Sequence, residues 1–128
     1  MKKTIDYPAL EFFKESEFYS PDMLEDGNHM QMHFIQRLHK ARVIADIPFI
    51  ITSGHRSPTH NKIVGGLDDS SHLYGEASDI KYTNSQECFI IVSALIQAGF
   101  TRIGIKKGMI HVDDDYRKPK NVLWLYDN

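Results

Sequence analysis

The chain has 128 residues, 41% of them hydrophobic and 25% charged, with a formal net charge of −2 and a single cysteine. Those values fit one soluble domain, expected over residues 1–128, and exclude a disulfide framework or a cysteine-rich metal knuckle. The near-neutral charge argues against a nucleic-acid partner recognised by phosphate charge, and no apolar run approaches the roughly 20 residues of a membrane span. Lys2-Lys3 opens the chain, but Asp6, Pro8, Glu11, Lys14 and Glu15 interrupt any apolar run behind it. Synthesis in the cytoplasm without a signal peptide is therefore the expectation, and a monomer is expected.

In chain order, Leu10–Tyr19 reads as a short helix or docked arm, closed by Ser20-Pro21-Asp22. Residues 28–45 read as the first long helix, with Asn28 as N-cap and Phe34, Ile35, Leu38, Ala41 and Ala45 at helical spacing. His29 and His33 then stand at i and i+4; a solvated helix face accounts for them better than a shared metal does. Pro48–Ser53 is short, apolar and β-branched, as a buried strand is. After the turn Gly54–Pro58, Ser57 caps a short helix that has Pro58 at its first position and runs through His60 and Ile63.

Gly65–Ser71 reads as a loop and Glu76–Tyr82 as a strand. Asn84 and Glu87 have capping-box spacing ahead of a helix whose apolar face is Cys88, Ile91, Val92, Leu95 and Ile96, stopped by Gly99; Cys88 is expected in the core. Arg102–Ile105, Met109–Asp113 and Val122–Tyr126 read as strands, the first two joined by a hairpin turn at Lys106-Lys107-Gly108. Consecutive late strands after mixed helices and strands predict an α+β fold with a central, largely antiparallel sheet and flanking helices.

The chemistry concentrates in Ser70–Asp79 and Ile110–Asp113. A catalytic metal needs three protein ligands and an open position. If His72 leads a strand and a turn at Gly75 follows, His72 and Asp79 point into one cleft, and His111 reaches it from another strand. Each residue also has an ordinary reading: Asp79 as a strand-end acceptor, His111 as a half-buried histidine.

Ser70-x-His72-x-x-Gly75-x-Ala77-x-Asp79 resembles the signature of the zinc D-Ala-D-Ala peptidases, the hedgehog-type metallopeptidases of bacterial cell walls and phage lysins. Phe49–Asn61 is similar to that family's upstream strand and turn, Phe13–Pro21 to the N-terminal segment of its small single-domain branch, and Ile103–Ile105 with His111–Asp113 to its closing strands. The resemblance covers residues 12 to 114 in order. It implies Zn2+ on His72, Asp79 and His111, and hydrolysis of an amide bond in a peptidoglycan peptide. It implies that Arg56 holds a substrate carboxylate or carbonyl, a task its planar fork suits; a structural salt bridge is the alternative. Ser70 is expected either near metal and substrate or as a loop cap.

Many relatives carry an acid three residues before the last zinc histidine, where this chain has Gly108. Asp113, two residues beyond His111 and on the same strand face, is the expected replacement as proton acceptor, or else it orients a ligand. Glu76, Asp68, Asp69 and Asp114 are weaker candidates. A phage lysin or virion enzyme that meets the wall after release is the expected setting. A zinc-bearing module on the same fold that binds without cleaving is the competing expectation.

Overall fold

The computed structural model describes residues 5–7, 12–23 and 29–126. Five strands, β1 (Ile50–Ser53), β2 (Ala77–Lys81), β3 (Arg102–Lys106), β4 (Met109–Asp113) and β5 (Val122–Leu125), form one sheet in the order β1-β2-β4-β3-β5. The first four pair antiparallel, and β5 joins the edge parallel to β3. The sheet is thus α+β and largely antiparallel, with one parallel pair.

Among the described residues, three α-helices accompany it: α1 (Met32–Ala45), α2 (Pro58–Ile63) and α3 (Ser85–Gln97). Ile80 of β2, Ile103 of β3, and Ile110 and Val112 of β4 project into one core with Phe34, Ile35 and Leu38 of α1 and Ile91, Ala94 and Leu95 of α3. Phe34 and Phe100 meet edge to face with centroids 5.6 Å apart. Burying each such side chain contributes about 1.5–3 kcal/mol. Because strand side chains alternate, Asp79, His111 and Gly104 fall on the opposite face.

The caps follow the sequence closely. Ser57 Oγ accepts from His60 N at 3.1 Å, and Asn84 Oδ1 accepts from Glu87 N at 2.9 Å. Glu87 reaches back to the Thr83 N–H at 2.9 Å instead of that of Asn84. The first helix starts later than its sequence pattern predicts. Gln31, not Asn28, is its N-cap, and Asn28 lies outside the described residues. The reason is a tertiary hydrogen bond: Gln31 N–H donates to the Gly75 carbonyl at 2.9 Å, which holds His29–Gln31 non-helical against the loop before β2. His29 is therefore off the helix, and its i, i+4 relation to His33 does not form. Cys88 is half-buried, packed against the core from its margin.

Residues 10 and 11 of the expected N-terminal helix lie outside the described set, and within the rest a 3-10 turn spans Glu15–Phe18. No described helix is long and apolar enough to cross a membrane.

Candidate metal centre

The site is built on a row that crosses the sheet. In register, Ser53 of β1 faces Asp79 of β2, Asp79 faces His111 of β4, His111 faces Gly104 of β3, and Gly104 faces Trp124 of β5. Two rows along, on the same face, Ala77 pairs with Asp113 and Asp113 with Arg102. His72 comes from outside the sheet. It sits in a 3-10 turn, Ser71–Tyr74, rather than leading a strand, and Ser70 Oγ caps that turn by accepting from His72 N at 3.3 Å.

His72 Nε2 lies 3.3 Å from Asp79 Oδ1, and His111 Nδ1 lies 3.1 Å from the same oxygen. The donor atoms of all three residues are within 4.8 Å of one another. Each ring is fixed by its other nitrogen. His72 Nδ1 donates to the Gly54 carbonyl at 2.7 Å, and His111 Nε2 donates to Asp113 Oδ2 at 2.7 Å. With Nδ1 committed as donor, His72 Nε2 carries a lone pair, yet it is buried with no hydrogen-bond partner. Leaving such an atom unsatisfied costs about 1–3 kcal/mol. A metal ion removes that cost. Two neutral imidazoles and one carboxylate aimed at a common point fit a divalent ion with borderline-soft character, zinc foremost.

The electrostatics of the metal-free site differ between the two rings. Burial opposes ionisation of Asp79, but the His111 hydrogen bond and the adjacent His72 outweigh it and hold the carboxyl well below its ordinary range. Burial keeps His72 below the usual imidazole value. For His111 burial acts the same way, but the carboxylates of Asp113 and Asp79 overcome it and raise the ring.

Asp113 is 1% exposed and fully engaged, by His111, by Arg102 Nε at 2.7 Å and by the Asp115 N–H at 3.2 Å. Burial would lift its carboxyl, but these partners, His111 first, hold it low. It does share a strand face with His111. Arg56 lies beside the centre: Nη2 is 3.4 Å from Asp79 Oδ2, Nη1 is 3.2 Å from Asn61 Oδ1, and Nε is 3.3 Å from Ser53 Oγ.

Arg56, Ser70, His72, Asp79, His111 and Asp113 all line one cleft of about 700 Å³. Of the weaker acidic candidates, Asp69 lines it too, while Glu76 and Asp114 gather elsewhere with His33. Gly108 occupies the β3–β4 turn at φ +80°, a left-handed conformation that favours glycine over an acidic residue. His55 stacks on His29 at 4.3 Å.

Several cleft residues carry no signal in a linear motif. Trp124 lies 5.5 Å from the His111 ring, and Arg102 stands over the indole at 5.2 Å. The indole rests on Gly104, where any Cβ would collide with it. Tyr126 and Lys118 complete that wall. The i, i+2 spacing of Trp124 and Tyr126 indicates a shared face, but not that the face meets the metal centre.

Fold and site together define the class: a mixed sheet with a His-Asp-His centre on its polar face, of the kind metal-dependent hydrolases use. The chain belongs to the M15 peptidase family, whose profile matches residues 13–113. Over 60 residues it is 38% identical to the zinc D-Ala-D-Ala carboxypeptidase of Streptomyces albus G. That stretch is 47% of this chain and 23% of the relative, so the match spans under a quarter of that protein's length.

Proposed function

We propose that this chain is a zinc-dependent peptidase that hydrolyses an amide bond in peptidoglycan stem peptides or their crosslinks. The observation that carries the reading is the convergence of His72 Nε2, Asp79 Oδ1 and His111 Nδ1 at the wall of a cleft that also presents Arg56. A zinc ion on those three atoms supplies, when bound, Lewis acidity toward a scissile carbonyl and acidification of water.

The protein's own groups do the rest. Arg56 offers a planar fork to the substrate's terminal carboxylate or a backbone carbonyl, and its bond to Asp79 keeps the fork beside the reacting bond. Trp124 and Tyr126 give the peptide an aromatic wall. Asp113, buried and engaged on both oxygens, suits holding His111 in one tautomer better than it suits taking a proton. That leaves Asp69, exposed and lining the cleft, as the carboxylate to accept the water proton and return it to the leaving amine.

Wall digestion tests the reading. Purified peptidoglycan treated with zinc-loaded protein should yield new peptide termini by mass spectrometry, and His72→Ala should yield none. The bond cut then separates carboxypeptidase from endopeptidase. A lytic setting, phage-borne or virion-borne, is part of the proposal; a fall in turbidity of outer-membrane-permeabilised cells on external addition tests it. Gly108, at a turn that selects glycine, favours one other reading, a zinc-bearing module that binds wall peptide without cleaving it. Zinc retention and wall binding with no new termini would establish that module instead.

A further inference from the structure

We propose that His33, Glu76 and Asp114 form a second divalent-cation site, distinct from the His72–Asp79–His111 centre. The three come from separate places: His33 from α1, Glu76 from the residue before β2, and Asp114 from the residue after β4. None of them lines the cleft of the first centre. Their donor atoms lie within 4.8 Å of one another. His33 Nδ1 is 2.8 Å from Asp114 Oδ2, and His33 Nε2 is 3.7 Å from Glu76 Oε2.

The two carboxylates are neighbours across the extended β2–β4 ladder, where Asp114 N–H donates to the Glu76 carbonyl at 3.2 Å. Like charges so placed repel. Both side chains are nearly buried, 7% exposed for Glu76 and 6% for Asp114. Burial raises both carboxyls, with the neighbouring acids adding to it.

Nearby cations compensate only in part. Arg37 Nη1 stands 3.5 Å from Asp114, and Arg117 Nη2 stands 3.9 Å from Glu76 while bonding Asp115 at 2.6 Å. Asp114 Oδ1 is buried and has no hydrogen-bond partner among the described residues. A buried carboxylate that keeps one oxygen unsatisfied while the other meets an imidazole, in a cluster with a second carboxylate, is an arrangement a hard-to-borderline cation satisfies. A groove of about 590 Å³, lined by His33, Tyr74, Glu76 and Arg117 among others, opens on His33 and Glu76, and a second, lined by His33, Arg37 and Asp114 among others, opens on Asp114. His33, with its side chain 51% exposed and both nitrogens toward the carboxylates, can offer one of them to an ion without disturbing the core. The ordinary alternative is His33 bridging the two acids by its own contacts with no metal.

Zinc sulfate titrated into metal-stripped full-length protein, followed calorimetrically and by elemental analysis after gel filtration, decides between them. The expected stoichiometry is two zinc ions per chain for wild type. It is one for His33→Ala, one for the isosteric Asp114→Asn, one for His72→Ala, and none for His33→Ala with His72→Ala. Circular dichroism in EDTA confirms that the variants fold. A wild-type stoichiometry of one that falls to none in His72→Ala overturns the second site and leaves the first standing. Two ions retained in both His33→Ala and Asp114→Asn also overturns it. One ion lost in His33→Ala yet kept in His72→Ala supports this site and rejects the first.

Discussion

The β2–β4 ladder carries two clusters of the same residue types, and they differ in how their histidines are held. In the cleft, each imidazole spends one nitrogen on a fixed acceptor, the Gly54 carbonyl for His72 and Asp113 for His111, so the other is aimed before any ion arrives. At the end of the ladder, His33 is exposed and both its nitrogens face carboxylates, with Arg37 and Arg117 sharing the charge. Both clusters mix imidazole and carboxylate, two histidines with one acid in the cleft and one histidine with two acids at the ladder's end, but only the cleft's rings are fixed in advance. A centre whose lone pairs are fixed in advance gives up little entropy on binding and can hold the geometry that hydrolysis needs. The cleft is therefore the catalytic centre in our reading, and the His33–Glu76–Asp114 cluster the weaker, auxiliary one.

The sharpest break in that comparison is removal of one ligand from each cluster. His72→Ala should lose cleft zinc and reduce peptidoglycan turnover to background, whereas His33→Ala should leave turnover intact. Equal losses in both would mean that the second cluster, too, serves the reaction. Arg56→Lys comes next. Replacing a planar fork by a point charge at a carboxylate contact forfeits about 1.5–3 kcal/mol, or roughly 10- to 150-fold in kcat/KM. Steady-state kinetics on a peptide with a free C-terminal carboxylate should place most of that loss in KM, and unchanged kinetics would leave Arg56 a structural partner of Asp79 only.

Asp113→Asn has a smaller expected effect and separates two roles. If Asp113 orients His111, zinc affinity should weaken by about 10- to 100-fold while zinc-saturated turnover largely survives. Under the same reading, Asp69→Asn should retain zinc and lose turnover. The reverse pattern, full affinity and collapsed turnover in Asp113→Asn, would make Asp113 the proton acceptor.

Local order of this kind was legible in the sequence wherever it is made by local chemistry. The caps at Ser57 and Asn84, the apolar stripes of α1 and α3 and the hairpin at Lys107-Gly108 depend on residues within a few positions of each other. The motif from Ser70 to Asp79 likewise carries its own turn, although the turn proved to be 3-10 and His72 sits inside it, not on the strand. What escaped was set by distant contacts. The start of α1 moved because the Gly75 carbonyl captures Gln31, 44 residues away by number. The parallel pairing of β5 with β3 follows a connection with no turn signature, so neither Trp124 beside His111 nor Arg102 between Asp113 and the indole could be placed. His33, Glu76 and Asp114 are 43 and 38 positions apart, a spacing that carries no periodic signal.

Asp115 ties the two regions together and gives an effect on stability alone, one read from pH. It is 1% exposed, accepts from Ser71 Oγ at 2.7 Å in the turn that bears His72, and takes Arg117 Nε and Nη2 at 2.7 and 2.6 Å. Arg117 in turn lies over the Tyr74 ring at 3.5 Å, on the groove side. Burial opposes ionisation of Asp115, but Arg117 and Ser71 outweigh it and bring the carboxyl from its ordinary 3.8 down to about 2. A group depressed in the folded state contributes stability above its unfolded value and loses it as pH falls. The contribution, about 2 kcal/mol, should therefore be complete above about pH 5 and disappear between about pH 4 and pH 2. Urea unfolding of EDTA-treated wild type and Asp115→Asn across that range reads the effect, since carboxylates remote from Asp115 contribute equally to both proteins. The gap between the two proteins should close on acidification. A gap that stays constant would mean that Asp115 holds the His72 turn by shape and neutral hydrogen bonds, and that the two clusters are mechanically joined but not electrostatically.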